Sequence, residues 1–142
     1  MRTLLCSLGV LSLIGCGSDN PAPVEATGRL AGAGTVLAPG ESAVSPADRR
    51  HVVTLIGVAN DSRCPINATC VWEGDADVRL SHRVGQGPDV LFTLRVNRAP
   101  RDTVIGVTRI ALDSLTPYPV SSGPVIETSR YRAWLTLSAV PR

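Results

Sequence analysis

Lysine is missing from this chain: all 14 basic residues are arginine. That excludes Schiff-base chemistry and every other mechanism that needs a lysine amine. It also removes the Lys-Ser/Thr ending of a phosphate-cradling loop, so the glycine-rich stretch 28–34 reads as linker. Aromatic residues are scarce, at 4% of 142 residues. With Phe92, Trp72, Trp134, Tyr118 and Tyr131 as the whole set, the core must be built from Val, Leu, Ile and Ala. Little is left for an aromatic-lined pocket or a base-stacking platform. A net charge of +2 supplies no basic surplus of the kind nucleic-acid binding needs. No segment holds an i, i+3, i+4, i+7 apolar stripe over three turns, so helices are not expected.

What is present begins at the N-terminus. Arg2 is followed by an apolar run over 4–14, broken by Ser7, Gly9 and Ser12. Eleven residues of helix span about 16 Å, against a hydrocarbon core of roughly 30 Å. The run therefore reads as the core of an export signal over 1–15 and not as a membrane span. It ends in Leu13-Ile14-Gly15-Cys16, which looks like the lipobox of bacterial lipoproteins. The resemblance implies that Cys16 takes a diacylglycerol thioether and becomes the mature, acylated N-terminus. Two or more buried acyl chains make a stable anchor. The polar run Gly17-Ser18-Asp19-Asn20 follows, and residues 16–33 read as a tether rich in Gly, Ala, Pro and Ser. Gly17 stands where an inner-membrane retention signal favours Asp, which points to the outer membrane if the host has one. Loss of Arg2 lowers the net charge from +2 to +1, too little to steer an acidic partner.

Of the four cysteines, Cys6 leaves with the signal and Cys16 carries lipid, so Cys64 and Cys70 remain. An exported chain meets oxidising conditions, which favour a disulfide between them. The rival is a metal or redox site. Redox pairs use a closer Cys-x-x-Cys spacing, and zinc needs further His or Cys ligands.

From residue 34 to 142 the pattern is that of strands. Over 72–84 the even positions (Trp72, Gly74, Ala76, Val78, Leu80, His82, Val84) are apolar or inward in type, and the odd ones are polar. Val90, Phe92, Leu94 and Val96 form a second inward set, joined to the first by a turn over 85–89. Tyr131, Ala133, Leu135, Leu137 and Ala139 alternate in a late strand, and 51–59, apolar on both parities, suits a central one. Weaker strands are expected over 35–38, 104–112 and 124–127. About seven short strands separated by turn residues predict an all-β, immunoglobulin-like sandwich, with a small barrel as second choice.

Asp61-Ser62-Arg63-Cys64-Pro65, then Cys70-Val71-Trp72, Gly74 and Ala76, resembles a pattern in a family of small bacterial lipoproteins with one secreted β domain. Leu37-Ala38-Pro39-Gly40-Glu41 and Leu115-Thr116-Pro117-Tyr118-Pro119 extend the likeness. Glu73 stands where Ala is common in that pattern. The resemblance implies a fold and a location, and no activity.

The candidate interaction surface is the 64–70 loop, with Arg63, Asn67, Thr69 and Trp72; a stapled loop loses less entropy on binding. The alternative is that staple and Trp72 brace a sandwich corner. Glu73, Asp75 and Asp77 share one strand face, and with Asp61 they are weak candidates for Ca²⁺, although the spacing matches no calcium loop. A solvated charged face is the simpler reading. Ser42 sits in a Gly-Glu-Ser-Ala-Val run that lacks the closing Gly of a nucleophile elbow, and reads as a turn residue. His82 is expected to be a satisfied inward histidine with no evident nucleophile partner, and His51 an exposed one at the start of a strand. No catalytic residue and no cofactor motif emerge. The expectation is a lipid-anchored, non-catalytic envelope module, its partners the membrane and an unidentified envelope protein; the alternative is a ligand- or metal-binding lipoprotein.

Overall fold

A computed structural model describes Arg29–Leu30 and residues 34–141. The signal over 1–15, Cys16 and all of the tether except Arg29–Leu30 lie outside the described residues. The described strands are β1 (Arg29–Leu30), β2 (Thr35–Leu37), β3 (Ser42–Val44), β4 (His51–Ala59), β5 (Asp77–Val84), β6 (Val90–Arg95), β7 (Asp102–Ile105), β8 (Thr108–Thr116) and β9 (Arg132–Ala139). A single 3-10 turn, Thr128–Arg130, precedes β9.

Two antiparallel four-stranded sheets pack face to face as a β-sandwich. One runs β3-β4-β5-β6, with β1 added in parallel to β3 at its edge; the other runs β2-β9-β8-β7. Neighbours in sequence are mostly neighbours in space, so the sheets are meanders, simpler than the Greek-key order of immunoglobulins. Neither sheet closes into a barrel. The core between them is aliphatic, as the aromatic scarcity demands: Val53, Leu55, Val78, Leu80 and Leu94 of the first sheet meet Leu37, Ile110, Leu115, Leu135 and Leu137 of the second, all essentially inaccessible to water. Tyr131, also buried, is the one aromatic residue in that cluster, with Phe92 packed at its margin.

The expected β5–β6 hairpin, the central position of β4 and the alternation of β9 are all present. Several boundaries differ. The strand expected over 72–84 begins only at Asp77, because Gly74 turns to φ +68°. Val84, Val90 and Ala139 lie outside the core, at strand ends where the opposite sheet no longer covers them, while Ser81, on the expected wet parity, is buried beside Thr54. The strand expected over 104–112 is two strands: Gly106 at φ +62° and Val107 make a two-residue hairpin turn between Ile105 and Thr108. Residues 124–127 form no strand. Ser42 is no turn residue. It opens β3, and its hydroxyl meets that of Thr54 at 2.8 Å across the sheet.

Three long connections gather at one end of the sandwich: 60–76 after β4, 96–101 after β6 and 117–131 after β8. The register places Ala59 beside Asp77, Asp77 beside Arg95, and Thr116 beside Arg132, so all three leave from the same side. The short turns over 85–89 and 106–107 lie at the opposite end.

Candidate functional site

The loop end is organised around one buried guanidinium. Arg63, 2% exposed, binds Asp61 through two parallel contacts, Nε to Oδ1 at 2.8 Å and Nη2 to Oδ2 at 2.7 Å. Its remaining N–H groups reach across to the other sheet, donating to the carbonyls of Leu115 at 2.6 Å and Pro117 at 2.8 Å. The Tyr118 ring stacks on it, 4.6 Å from Cζ. Tyr131 donates its hydroxyl to Asp61 Oδ2 at 2.9 Å. Burial, reinforced by the hydrogen bond to that carboxylate, pushes the Tyr131 phenol up to about 12. Burial alone would raise Asp61, but hydrogen bonds from Arg63 and Tyr131 outweigh it and hold the carboxyl below its ordinary range. The two sequence stretches Asp61-Ser62-Arg63 and Leu115-Thr116-Pro117-Tyr118 are thus a single clamp between sheets.

Above this clamp the 60–76 loop folds back on itself. Ser62 and Cys64 donate backbone N–H bonds to the carbonyls of Asp75 and Glu73, making a short ladder outside the sheets. Gly74 is required there. A Cβ would sit 1.8 Å from the Ser62 carbonyl oxygen, and the backbone is left-handed. Cys64 and Cys70 form the disulfide, with Cα atoms 6.0 Å apart. A loop of this size contributes about 2 kcal/mol by chain entropy. The loop is also tied to its neighbour. Ile66 N–H donates to the Pro119 carbonyl at 3.1 Å, and Asn67 Oδ1 accepts from Ser121 N–H at 2.7 Å.

The outcome is a braced pair of loops with apolar tips. Ile66 is 70% exposed, Trp72 56%, and Val71 fully so; Tyr118, Val120 and Val125 on the second loop are exposed as well. Arg98, from the 96–101 connection, lies over the Trp72 ring at 4.7 Å. A cleft of about 390 Å³ runs along the base of the second loop, lined by Val58, Asn60, Asp61, Pro124, Ile126 and Tyr131.

These positions revise the expectations for single residues. Arg63 presents nothing to a partner, because every direction of its side chain is occupied within the fold. Asn67 is exposed but committed to Ser121, and Thr69 is exposed on the loop. Trp72 braces no corner: with β5 starting five residues later, it projects from the loop beside Arg98. The four carboxylates do not converge. Asp61 is held by Arg63 and Tyr131, Asp75 accepts the N–H groups of Ala76 and Asn97, and Asp77 pairs with Asn60 and Arg95, while Glu73 is exposed. Among the described residues no group of three His, Cys, Asp or Glu side chains is placed to hold a metal ion. Sequence reasoning missed Ile66, Val71, Tyr118, Val120 and Val125. Their only signal was apolar side chains in segments punctuated by Pro and Cys, where no strand could bury them.

The histidines provide a second polar centre, at the opposite end. His51 is buried, not exposed, and its Nδ1 lies 3.0 Å from His82 Nε2. β4 and β5 run antiparallel with His51 beside Val84 and His82 beside Val53, which brings the rings together across the hairpin. Gly106 closes over His51, where a Cβ would come within 2.9 Å of Cε1. Asp48 Oδ2 stands 3.8 Å from His51 Nε2, but its carboxyl is held down to about 2 chiefly by the hydrogen bonds from Arg50. Burial, then the neighbouring His51, lowers His82 below its ordinary value. The nearby hydroxyls of Ser45 and Thr108 bond to each other at 2.8 Å. The pair is therefore buried and joined by one hydrogen bond, and among the described residues no nucleophile is bonded to it. Neither histidine lines the cleft at the loop end.

Comparison with protein-family models, curated proteins and solved structures returns no match to this chain.

Proposed function

We propose that the protein is a lipid-anchored, non-catalytic module of the bacterial cell envelope whose loop end is an interaction face. The observation that carries this reading is the exposure of Ile66, Val71, Trp72, Tyr118 and Val120 on two loops braced against each other. Large apolar side chains exposed together on two adjoining loops are the kind of surface that marks an interaction site. Bracing by the disulfide, the Asn67–Ser121 bond and the Arg63 clamp lowers the ordering entropy that binding costs. The anchoring half rests on the lipobox-like Leu13-Ile14-Gly15-Cys16 at the end of a short apolar run.

The test has two arms. Mass spectrometry of the membrane-extracted chain should find an acylated N-terminal Cys16, and Cys16→Ser should move the protein to the soluble fraction. Crosslinking in intact cells from a photoreactive residue at position 71 should give a discrete adduct that Trp72→Asp removes. An unmodified Cys16 overturns the anchor, and an adduct pattern indifferent to Trp72 overturns the face.

The cleft between Val58 and Ile126 supports a second reading, a small-ligand-binding lipoprotein. Its walls mix apolar side chains with Asn60. Filling the cleft with Ile126→Trp should then abolish any ligand-dependent rise in melting temperature while sparing the crosslink at position 71.

A further inference from the structure

The direction of β1 adds something that the composition of the loops does not. β1 runs parallel to β3, with Arg29 beside Ala43, and Ala43 lies beside Val53 of β4. β3 runs antiparallel to β4, so the chain enters β1 from the side on which β4 ends at Ala59. That is the end carrying the three long loops. Ala59 lies six residues beyond Val53, about 20 Å along the strand. Thirteen residue steps separate Cys16 from Arg29 in the sequence, an extended reach of roughly 45 Å. The chain thus enters β1 from the end that carries the apolar tips, and the reach from Cys16 is long enough for those tips to meet a surface that holds an anchor there. The C-terminal end of β9, at Ala139, lies beside Thr108 at the far end.

The chemistry of the tips suits such a surface. Trp72 and Tyr118 carry amphipathic rings of the type that concentrates at the boundary between headgroups and acyl chains. Ile66, Val71 and Val125 are aliphatic side chains on loop tips, presented without a partner among the described residues. Arg98, stacked on Trp72, holds a cation beside the ring, where lipid phosphates lie.

We propose that the loop end docks on the phospholipid surface in which the chain is anchored, with Trp72 and Val71 at the depth of the headgroup boundary and Arg98 against lipid phosphate. This rests on the interaction-face reading and names the occupant of that face. The two tethers, lipid and loops, hold the sandwich upright with its histidine end directed away from the membrane.

The experiment uses the full chain reconstituted in vesicles of phosphatidylethanolamine and phosphatidylglycerol. Trp134→Phe leaves Trp72 as the sole tryptophan. Its emission should shift to the blue and lose roughly half its intensity to lipids brominated near the headgroup, as for an interfacial side chain. Val71→Asp, on the exposed tip, should restore the emission without lowering the melting temperature. The converse variant, Trp72→Phe, reports Trp134 on β9, which should remain unquenched. If Trp72 stays as open to aqueous iodide on vesicles as in their absence, membrane docking is overturned. If, in that event, the position 71 crosslinker still captures a protein in cells, the interaction face stands with a protein occupant. If it captures nothing, the face falls as well.

Discussion

Arg63 shows how one side chain can be misread from its neighbours. In a loop beside two cysteines it suggests recognition, yet its guanidinium is turned inward, with four hydrogen bonds to one carboxylate and two carbonyls. Removing it strands Asp61 partly buried beside unpaired backbone. Arg63→Ala should therefore lower the free energy of unfolding by roughly 3–5 kcal/mol in a urea titration. Arg63→Lys should recover little, since an ammonium cannot make the two parallel contacts. His82 makes a different prediction. Its folded value lies below the ordinary 6.5 because burial, and then His51, oppose its charge. The unfolded chain thus takes up a proton first, and stability falls as pH drops through about 6.5, levelling once folded His82 is itself protonated. Melting curves between pH 8 and 5 should record that decline, and His82→Gln should flatten it. The inward parity of His82 was legible in the sequence. Its meeting with His51 was not, because 31 residues separate the two and only the β4–β5 register joins them.

Elements were legible wherever alternation ran long. β5 and β9 bury rows at period two, Val78, Leu80 and His82 in one and Ala133, Leu135 and Leu137 in the other. β4 was legible because it is apolar on both parities, and β6 from its alternation alone, since of its residues only Leu94 is buried. β3 is three residues long, pairing through Ser42, Ala43 and Val44, too short for any period to register. β7 and β8 merged in the sequence because Val104, Ile105, Val107 and Ile110 continue an apolar run across the Gly106 turn. The largest displacement, of the start of β5, was set by Gly74, whose left-handed backbone lets 73–75 fold against 62–64. Gly74→Ala should consequently destabilise by roughly 3 kcal/mol or more, through both backbone strain and the clash with Ser62. The loss should appear in chemical denaturation, together with faster hydrogen exchange at the amides of Ser62 and Cys64.

At the scale of the molecule, the two ends of the sandwich are built differently. One end has short turns and a buried histidine pair; the other has long loops in which the guanidinium of Arg63 is turned inward while Ile66, Val71 and Trp72 face out. That inversion concerns tertiary placement, and composition alone could not reveal it. The aromatic scarcity bears on the core, which is aliphatic apart from Tyr131; three of the five aromatic residues, Trp72, Tyr118 and Tyr131, stand at the loop end, the first two exposed. The closing strand also matters. Deleting 132–142 should abolish cooperative unfolding of the whole domain, measured by urea titration, because β9 is the central partner of both β2 and β8.

The pairing of β2 with β9 sets Thr35 beside Leu135, a hundred residues apart in the chain. A ribosome delivers the first long before the second. Until the last strand arrives, the second sheet lacks its middle, and only β7 and β8 are there to cover the aliphatic row of the first. Topology of this kind folds slowly, since the entropy of closing so long a loop is lost before the contact rewards it. The polypeptide therefore stays pliable while β9 is still missing, and the arrival of that one strand turns the domain into a rigid body.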